Sequence, residues 1–274
     1  MIINRSGSEV KGTQVSSFVT LNVEHKHTKT IMEQPATDTV WLSLVIPTYN
    51  EHENIRPLLS AVYRTLEKIQ RPFEIIVVDD DSPDGTWLIA EGLSRKCTRL
   101  KVVHRIRERG LARAVIRGWD ESRGEIWAVM DADLQHPPET LYRLIKSISD
   151  GADLAVASRH VPGGGVSDWS LVRRAISWGA TLMTTWFLPG TLSKVRDPMS
   201  GYFVVRKSAL DGVHLNPEGY KILVEVLSRG HFQTVAELPY TFIERKRGGS
   251  KLGAPQYIQF VRHLAQSLRS LVMR

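Results

Sequence analysis

The chain has 274 residues, enough for one large α/β domain or for a domain with an appendage. Its content of 42% apolar and 24% charged residues is ordinary for a soluble globular protein. A formal net charge of +7 indicates an anionic partner, such as a nucleotide, a nucleic acid or a lipid surface. Cys97 is the only cysteine, which excludes an intramolecular disulfide framework and a thiolate metal cluster. The sequence shows no zinc-finger spacing, helix-turn-helix or aromatic-rich RNA platform, so we expect no nucleic-acid partner.

Strands and helices are predicted to alternate from residue 41 onward, because short apolar runs are separated by apolar patterns of helical spacing. The first strand is predicted at 41–46, and the first helix at 55–70 with Asn54 as its N-cap. Further strands are predicted at 73–78, 100–104, 126–130 and 154–157, and further helices at 86–96, at 111–123 and after Pro138. This alternation predicts βαβ units and therefore an α/β fold: a Rossmann-like, mostly parallel sheet flanked by helices.

The strand at 126–130 runs directly into Asp131, Ala132 and Asp133, and Gln135 follows two residues later. Side chains two apart on an extended backbone point the same way, so the two carboxylates are predicted to converge, with Gln135 beside them. Carboxylate and amide oxygens suit Mg²⁺ or Mn²⁺, which complete their coordination with substrate phosphates. The alternative is an ordinary turn with two solvated aspartates.

Two further polar clusters favour the metal–diphosphate interpretation. Residues 47–51 follow the first predicted strand, and residues 79–81 follow the second. Ligands of open α/β sheets bind outside the carboxyl ends of the strands, so three such clusters at three strand ends predict one pocket. Asp80 could accept hydrogen bonds from a base or a ribose there. Each cluster taken alone is also compatible with local turn chemistry.

Three motifs carry a resemblance to a known family: Val-Ile-Pro-Thr-Tyr-Asn-Glu at 45–51, the segment 77–86, and Asp-Ala-Asp-Leu-Gln at 131–135. They resemble the signatures of family 2 inverting glycosyltransferases with the GT-A fold, and Ser-Pro-Asp-Gly-Thr at 82–86 is most similar to dolichol-phosphate mannose synthases. The resemblance implies a metal-dependent, inverting sugar transfer to a polyprenyl-phosphate acceptor. It implies GDP-mannose as the nucleotide-sugar donor, with UDP-glucose or another nucleotide sugar as the alternative, and Mg²⁺ or Mn²⁺ as the cofactor.

The resemblance also implies roles for individual residues. It places the donor at Pro47, Tyr49, Glu51, Val78, Asp80, Asp131, Ala132, Asp133, Arg159, Arg245 and Lys251. It implies Asp133 and Gln135 as metal ligands, and Arg173 as an acceptor-phosphate residue for which Arg174 is a rival. Asp131, Asp133, Arg159, Arg173 and Asp197 are the predicted catalytic residues.

Sugar transfer to a phosphate brings several anions together. We therefore expect a set of cations near the site on electrostatic grounds alone. The glycine-rich run at 248–250, between Arg245 and Lys251, predicts a loop that closes over the diphosphate, or else a plain surface loop. Asp197 could bind the sugar or position the acceptor, or it could simply start a turn before Pro198. An acceptor phosphate is already anionic at neutral pH, so no strong general base is required. His136 could touch the metal or the donor, or be structural.

Three segments outside these motifs bear on location. Residues 1–40 have no sustained apolar period and are expected to form a disordered or loosely packed extension of the catalytic domain at 41–252. The uncharged run at 175–193 predicts a helix too short to cross a bilayer, which lies at the membrane interface or in a core or dimer contact. Residues 253–274 predict an amphipathic helix. We therefore expect a cytoplasmic protein, peripheral on the cytoplasmic face of a membrane, with a membrane-anchoring partner as a further expectation. A non-catalytic nucleotide-binding scaffold is the alternative of a different class.

Overall fold

The structure is a computed structural model that describes residues 39–167, 195–216 and 221–243. Its strands are β1 (Leu42–Thr48), β2 (Phe73–Asp79), β3 (Leu100–His104), β4 (Ile126–Val129), β5 (Leu154–Ser158), β6 (Gly165–Val166), β7 (Phe203–Arg206), β8 (Val235–Pro239) and β9 (Thr241–Phe242). Its helices are α1 (His52–Glu67), α2 (Thr86–Ser94), α3 (Leu111–Asp120), α4 (Pro138–Ser149) and α5 (Ile222–Arg229), with a 3₁₀ turn at Lys207–Leu210.

Seven strands form one sheet in the order β3-β2-β1-β4-β7-β5-β8. The strands β3, β2, β1 and β4 are parallel, β7 runs antiparallel to both β4 and β5, and β8 is parallel to β5. The strands β6 and β9 form a separate parallel pair. The predicted α/β fold with a mostly parallel sheet is confirmed, and the antiparallel strand β7 is an addition to it.

The central strands are buried on both faces, as their continuous apolar sequences predict. Every residue of β1 and β2 is buried. The helix α1 presents an apolar stripe that includes Ile55, Leu58, Val62 and Leu66, each fully buried. This packing fixes the carboxyl ends of β1, β2 and β4 at one edge of the sheet, where the predicted polar clusters follow.

The structure corrects several predicted element boundaries. The helix α1 begins at His52 rather than at residue 55, so Asn54 lies in its first turn and the predicted Asn54 N-cap is wrong. Glu51 occupies the N-cap position, and the Asn54 side-chain nitrogen donates to a Glu51 carboxylate oxygen at 2.7 Å. The strand β4 ends at Val129, one residue earlier than predicted.

The part of the chain that the structure describes contains no helix with the length and apolar character needed to cross a bilayer. The predictions for residues 1–38, for the uncharged run within 168–194 and for the C-terminal helix fall outside the described residues.

Candidate active site

Asp79 ties the ends of β1 and β2 together beneath the site. Its carboxylate is fully buried and accepts hydrogen bonds from the Thr48 hydroxyl at 2.8 Å, from the Ser82 hydroxyl at 2.7 Å and from the Ser82 backbone N–H at 2.8 Å. Both carboxylate oxygens therefore accept hydrogen bonds from the end of β1 or from the loop that follows β2. Of the three consecutive aspartates in this cluster, Asp79 holds the scaffold.

Asp80, a predicted nucleotide-binding residue, is 6% exposed and accepts hydrogen bonds from another loop. The Arg105 guanidinium donates two hydrogen bonds to it, one of them from Nε at 2.7 Å, and the Gly110 backbone N–H donates at 2.8 Å. Burial raises the pKa of the Asp80 carboxyl against the lowering effect of these donors. Arg105 is itself buried and belongs to this part of the site. A ribose or base at this place would donate to lone pairs of the Asp80 carboxylate that Arg105 and Gly110 do not use.

The other residues predicted to bind the nucleotide sugar, which lie on or just after β1 and β2, differ in how deeply they are buried. Pro47 and Val78 are buried within their strands, and the Glu51 carboxylate is 6% exposed. Tyr49 lies beyond the end of β1, and the Arg109 guanidinium lies 5.3 Å from the centre of its ring. This cation–π contact places a positive charge beside a predicted nucleotide-binding residue. Sequence reasoning attached no contact to Arg109, because the pair is 60 residues apart.

The segment 131–135 is a turn rather than the predicted extension of β4. Leu134 has a φ of 61°, which is left-handed and interrupts the alternation of an extended backbone. The Gln135 backbone N–H donates to an Asp133 carboxylate oxygen at 3.1 Å across this turn. The alternation expected of an extended backbone is therefore wrong between Asp133 and Gln135, where a turn brings the Gln135 backbone N–H to the Asp133 carboxylate.

Gln135 is clamped to Ile243, at the end of the described chain, on both its backbone and its side chain. The Gln135 side-chain nitrogen donates to the Ile243 carbonyl oxygen at 2.8 Å, and the Ile243 N–H donates to the Gln135 carbonyl oxygen at 3.1 Å. A carbonyl oxygen can only accept, so the amide nitrogen must face Ile243 and the amide oxygen must point to the other side. The amide oxygen of Gln135 is thereby directed away from Ile243.

Asp133 and Gln135 fit a hard divalent cation such as Mg²⁺ or Mn²⁺. They offer carboxylate and amide oxygens, the ligand types that these ions prefer. Among the described residues, no group of three or more His, Cys, Asp or Glu side chains is placed to hold a metal. Mg²⁺ is commonly bound by one or two protein side chains and completes its shell with water and substrate phosphates, so a site of two protein ligands suits it.

The His136 side chain is packed among aromatic rings and is hydrogen-bonded to the backbone at Asp131. It is 1% exposed, its ring stacks on that of Tyr202 at 4.8 Å, and the rings of Tyr240 and Phe242 meet it edge-on at 5.7 and 5.5 Å. Its Nδ1 accepts from the Asp131 backbone N–H at 3.4 Å, which identifies this nitrogen as the unprotonated one. Burial lowers the pKa of His136 to about 4, so the ring is neutral at pH 7. These contacts favour the structural interpretation of His136.

Arg159 and Asp197 form a buried, two-pronged ion pair beside the aspartates. Arg159 donates from Nε and Nη2 to the two Asp197 carboxylate oxygens, each at 2.7 Å, and its backbone N–H donates to the same carboxylate at 3.0 Å. Asp197 is fully buried. Burial acts to raise the pKa of Asp197, but the bonds and charge of Arg159 bring it below its ordinary value. The Glu237 carboxylate accepts from the backbone N–H groups of Arg196 and Asp197 at 2.9 and 3.1 Å, which anchors the loop from behind.

The loop at 197–201 reaches from this ion pair to Asp131. A Cβ atom placed on Gly201 would lie 2.7 Å from an Asp131 carboxylate oxygen, so only glycine permits this close approach. Between these two ends, the Met199 carbonyl oxygen accepts a hydrogen bond from Lys221 Nζ at 2.9 Å. Burial and then the charge of Arg159 lower the pKa of Lys221 to about 8, while Asp131, Asp197 and Asp133 oppose that shift. Sequence reasoning gave neither Gly201 nor Lys221 a role.

Three predicted site residues, Arg173, Arg245 and Lys251, lie outside the described residues, as does the rival Arg174. Their roles stay predictions. The described part of the site joins Asp131, Ala132, Asp133 and Gln135 on the β4 side to Arg159 and Asp197 on the β5 side.

The family model named Glycosyl transferase family 2 matches residues 43–213, a span that contains all three sequence motifs. The chain is 46% identical over 228 residues to a dolichol-phosphate mannosyltransferase of Pyrococcus furiosus, covering 83% of this chain and 64% of that protein. It is 36% identical over 234 residues to a dolichol-phosphate mannosyltransferase of Saccharomyces cerevisiae, covering 82% and 85% of the two chains. The chain belongs to glycosyl transferase family 2.

The solved structures agree on the fold of this family 2 glycosyltransferase. Mannosyl-3-phosphoglycerate synthase from Rubrobacter xylanophilus superimposes with a TM-score of 0.65 at 21% identity, covering 84% of this chain and 75% of that one. The strand order and this likeness together confirm the expected GT-A architecture. The match spans less than two thirds of the length of the Pyrococcus relative.

Proposed function

We propose that this glycosyltransferase transfers mannose from GDP-mannose to a polyprenyl phosphate, such as dolichyl phosphate, with inversion at the sugar and with help from a divalent metal. The observation that supports the proposal most is the juxtaposition of a hard-oxygen pair, Asp133 and Gln135, with the half-buried cations Arg159 and Lys221 at one edge of the sheet. The names of the two mannosyltransferase relatives favour mannose and a lipid phosphate over other substrates.

Asp133 and Gln135 would hold Mg²⁺ or Mn²⁺, which when bound supplies positive charge to the departing diphosphate. On the protein side, the buried Asp80 and the Tyr49–Arg109 pair would contact the nucleotide. Asp131 lies against the 197–201 loop, at the end where the sugar would meet its acceptor.

Transfer requires one bond to form and one to break at the anomeric carbon. A phosphate oxygen of the acceptor forms the new bond as the bond to the diphosphate breaks on the opposite face, which inverts the configuration. The acceptor is already anionic, so no group has to remove a proton from it. Asp197 fits this scheme as a positioning residue, because both of its oxygens accept hydrogen bonds from Arg159.

The acceptor also determines where the enzyme works. A polyprenyl chain resides in a bilayer, so its phosphate is met at the membrane surface, and the net charge of +7 favours an anionic lipid surface. We therefore propose peripheral attachment on the cytoplasmic face, alone or through a membrane-anchoring partner. Flotation with vesicles that contain anionic lipid is the test, and a protein that stays wholly in the soluble fraction contradicts peripheral attachment by the chain alone.

A panel of labelled nucleotide sugars tests the reaction. The purified chain is mixed with polyprenyl phosphate, Mg²⁺ or Mn²⁺, and GDP-mannose, UDP-glucose or another nucleotide sugar, and lipid-linked product is extracted and counted. The proposal predicts product from GDP-mannose that is abolished by EDTA. Product from UDP-glucose alone would reassign the donor. Tight, metal-dependent GDP binding with no product from any donor would favour the non-catalytic scaffold.

A further inference from the structure

The backbone N–H groups of three consecutive residues beyond the end of β1 donate to side chains that follow β2. The pairs are Asn50 to the Ser82 hydroxyl at 2.9 Å, Glu51 to the Thr86 hydroxyl at 2.9 Å, and His52 to the Asp84 carboxylate at 3.1 Å. We call these three hydrogen bonds the clasp. They join residues 50–52 to residues 82–86, which are more than 30 positions away in the sequence.

The two hydroxyl groups of the clasp are buried, since Ser82 is 2% exposed and Thr86 is fully buried. Each hydroxyl also donates to a carboxylate near it in sequence, Ser82 to Asp79 at 2.7 Å and Thr86 to Asp84 at 2.6 Å. A hydroxyl has a single proton to donate, so these bonds leave its oxygen free to accept from the opposite loop. The direction of the clasp bonds is therefore set by the carboxylates.

The clasp holds a backbone conformation that is unusual for a residue with a side chain. Asn50 has a φ of 54°, in the left-handed region. Such conformations persist where the surrounding structure over-determines them, and they are concentrated at functional sites. The bonds to Ser82 and Thr86 hold the peptide groups immediately before and after Asn50, so they fix its φ and ψ together.

The backbone at Asn50 determines how its two neighbours are placed. On one side, the ring centre of Tyr49 lies 5.3 Å from the Arg109 guanidinium. On the other side, Glu51 occupies the N-cap position of α1, and it is 6% exposed. Both neighbours are predicted to bind the nucleotide. A rotation at Asn50 would change the position of Tyr49 relative to Glu51.

We propose that Thr86 and Ser82 are positioning residues for the nucleotide-sugar donor. They hold the backbone of Asn50, and thereby keep Tyr49 and Glu51 in the arrangement that binds the nucleoside. The inference rests on the proposed function and deepens it, because it names residues that prepare the nucleoside end of the site. Neither hydroxyl has to touch the donor. A loop that is already ordered binds more tightly, because no conformational entropy is lost on ordering it.

The test compares removal of the Thr86 hydroxyl with its retention and with the same change elsewhere. Thr86→Val removes the group that accepts from the Glu51 N–H, and Thr86→Ser keeps it. Thr65→Val is the control, because Thr65 is also buried and its hydroxyl donates at 3.1 Å to the Ala61 carbonyl oxygen within α1. Each protein is assayed for the KM of GDP-mannose and of geranylgeranyl phosphate, for the calorimetric affinity for GDP with Mn²⁺, and for thermal stability.

We expect Thr86→Val to raise the KM of GDP-mannose and to weaken GDP binding about tenfold, as for the loss of one buried hydrogen bond. The KM of geranylgeranyl phosphate should change less than about twofold. Thr86→Ser should recover most of the loss, and Thr65→Val should bind GDP as the wild type does. An unchanged GDP affinity in Thr86→Val, an equal rise in both KM values, or the same loss in Thr65→Val would overturn the proposal. If Thr86→Val does not fold, Ser82→Ala decides by the same criteria.

Calorimetry separates this inference from the proposed function. If the wild type transfers no sugar from any donor, the proposed function fails, and the binding of GDP with Mn²⁺ then decides the inference alone. Weaker binding in Thr86→Val, with recovery in Thr86→Ser and no loss in Thr65→Val, would support the positioning role. Equal binding in all these proteins, or no binding of GDP by the wild type, would overturn it.

Discussion

The Arg159–Asp197 pair allows a structural role to be separated from a chemical one. Asp197→Ala would leave the Arg159 guanidinium, whose side chain is only 10% exposed, without the carboxylate that accepts three hydrogen bonds from this residue. Removal of one partner from a buried ion pair typically costs about 3–5 kcal/mol, because the other charge stays buried without compensation. For a domain of this size, that corresponds to a fall in Tm of roughly 6–20 °C.

Urea unfolding of the wild type, Asp197→Ala and the double variant Arg159→Met/Asp197→Leu measures this cost. The double variant should recover most of the stability, since an apolar pair of similar volume avoids the uncompensated charge. Asp150→Ala is the control: its ion pair with Lys146 is exposed, with side-chain exposures of 60% and 63%, so its loss should cost less than about 1 kcal/mol. Asp197→Ala with wild-type stability and no transfer activity would refute the positioning role and make Asp197 a chemical participant.

Three further predictions follow from the contacts around the turn. Gly201→Ala should lower transfer at least about tenfold, because a displaced Asp131 costs catalytic geometry, whereas Gly92→Ala, where an added Cβ meets nothing within 4 Å, should leave transfer unchanged; equal activity of the two would contradict the role of Gly201. Gln135→Leu should weaken Mn²⁺ binding by about 10- to 100-fold in an electron paramagnetic resonance titration, and unaltered affinity would remove Gln135 from the metal site. His136 is neutral when folded, with a pKa lowered to about 4, and takes up a proton near 6.5 when unfolded, so its contribution to stability is complete above pH 6.5 and is lost as the pH falls toward 4. Urea unfolding with EDTA should show that His136→Phe loses about 2 kcal/mol less between pH 7 and pH 5 than the wild type, and parallel losses would contradict a buried neutral ring.

The sequence predicted the parallel part of the sheet well, because β1 and β2 are mostly apolar and every residue in them is buried. It did not predict that β7 inserts between β4 and β5. Residues 203–205 form the same kind of apolar run, but their antiparallel pairing with β4 is decided by partners about 75 residues away, and no local pattern records that choice.

The same holds for the site: residues that are close in sequence were predicted, and residues that only the fold brings together were not. Asp131, Asp133 and Gln135 were recognised because they follow one another at a strand end, although the left-handed Leu134 shapes the turn differently from the predicted extension. Gly201, Lys221 and Glu237 were missed because each acts through contacts with residues that are distant in sequence. A glycine, a lysine or a glutamate in isolation has many structural explanations, and only the packing of the 197–201 loop selects among them.

In the proposed reaction, Asp133 helps to hold a divalent cation that binds a nucleoside diphosphate. Calorimetric titration of GDP, with and without Mn²⁺, into the wild type, Asp133→Ala and the surface control Asp150→Ala tests it most directly. We expect Mn²⁺ to tighten GDP binding at least about tenfold in the wild type and in Asp150→Ala. In Asp133→Ala, Mn²⁺ should have little effect on the affinity for GDP. Equal enhancement of GDP binding by Mn²⁺ in Asp133→Ala and the wild type would contradict it.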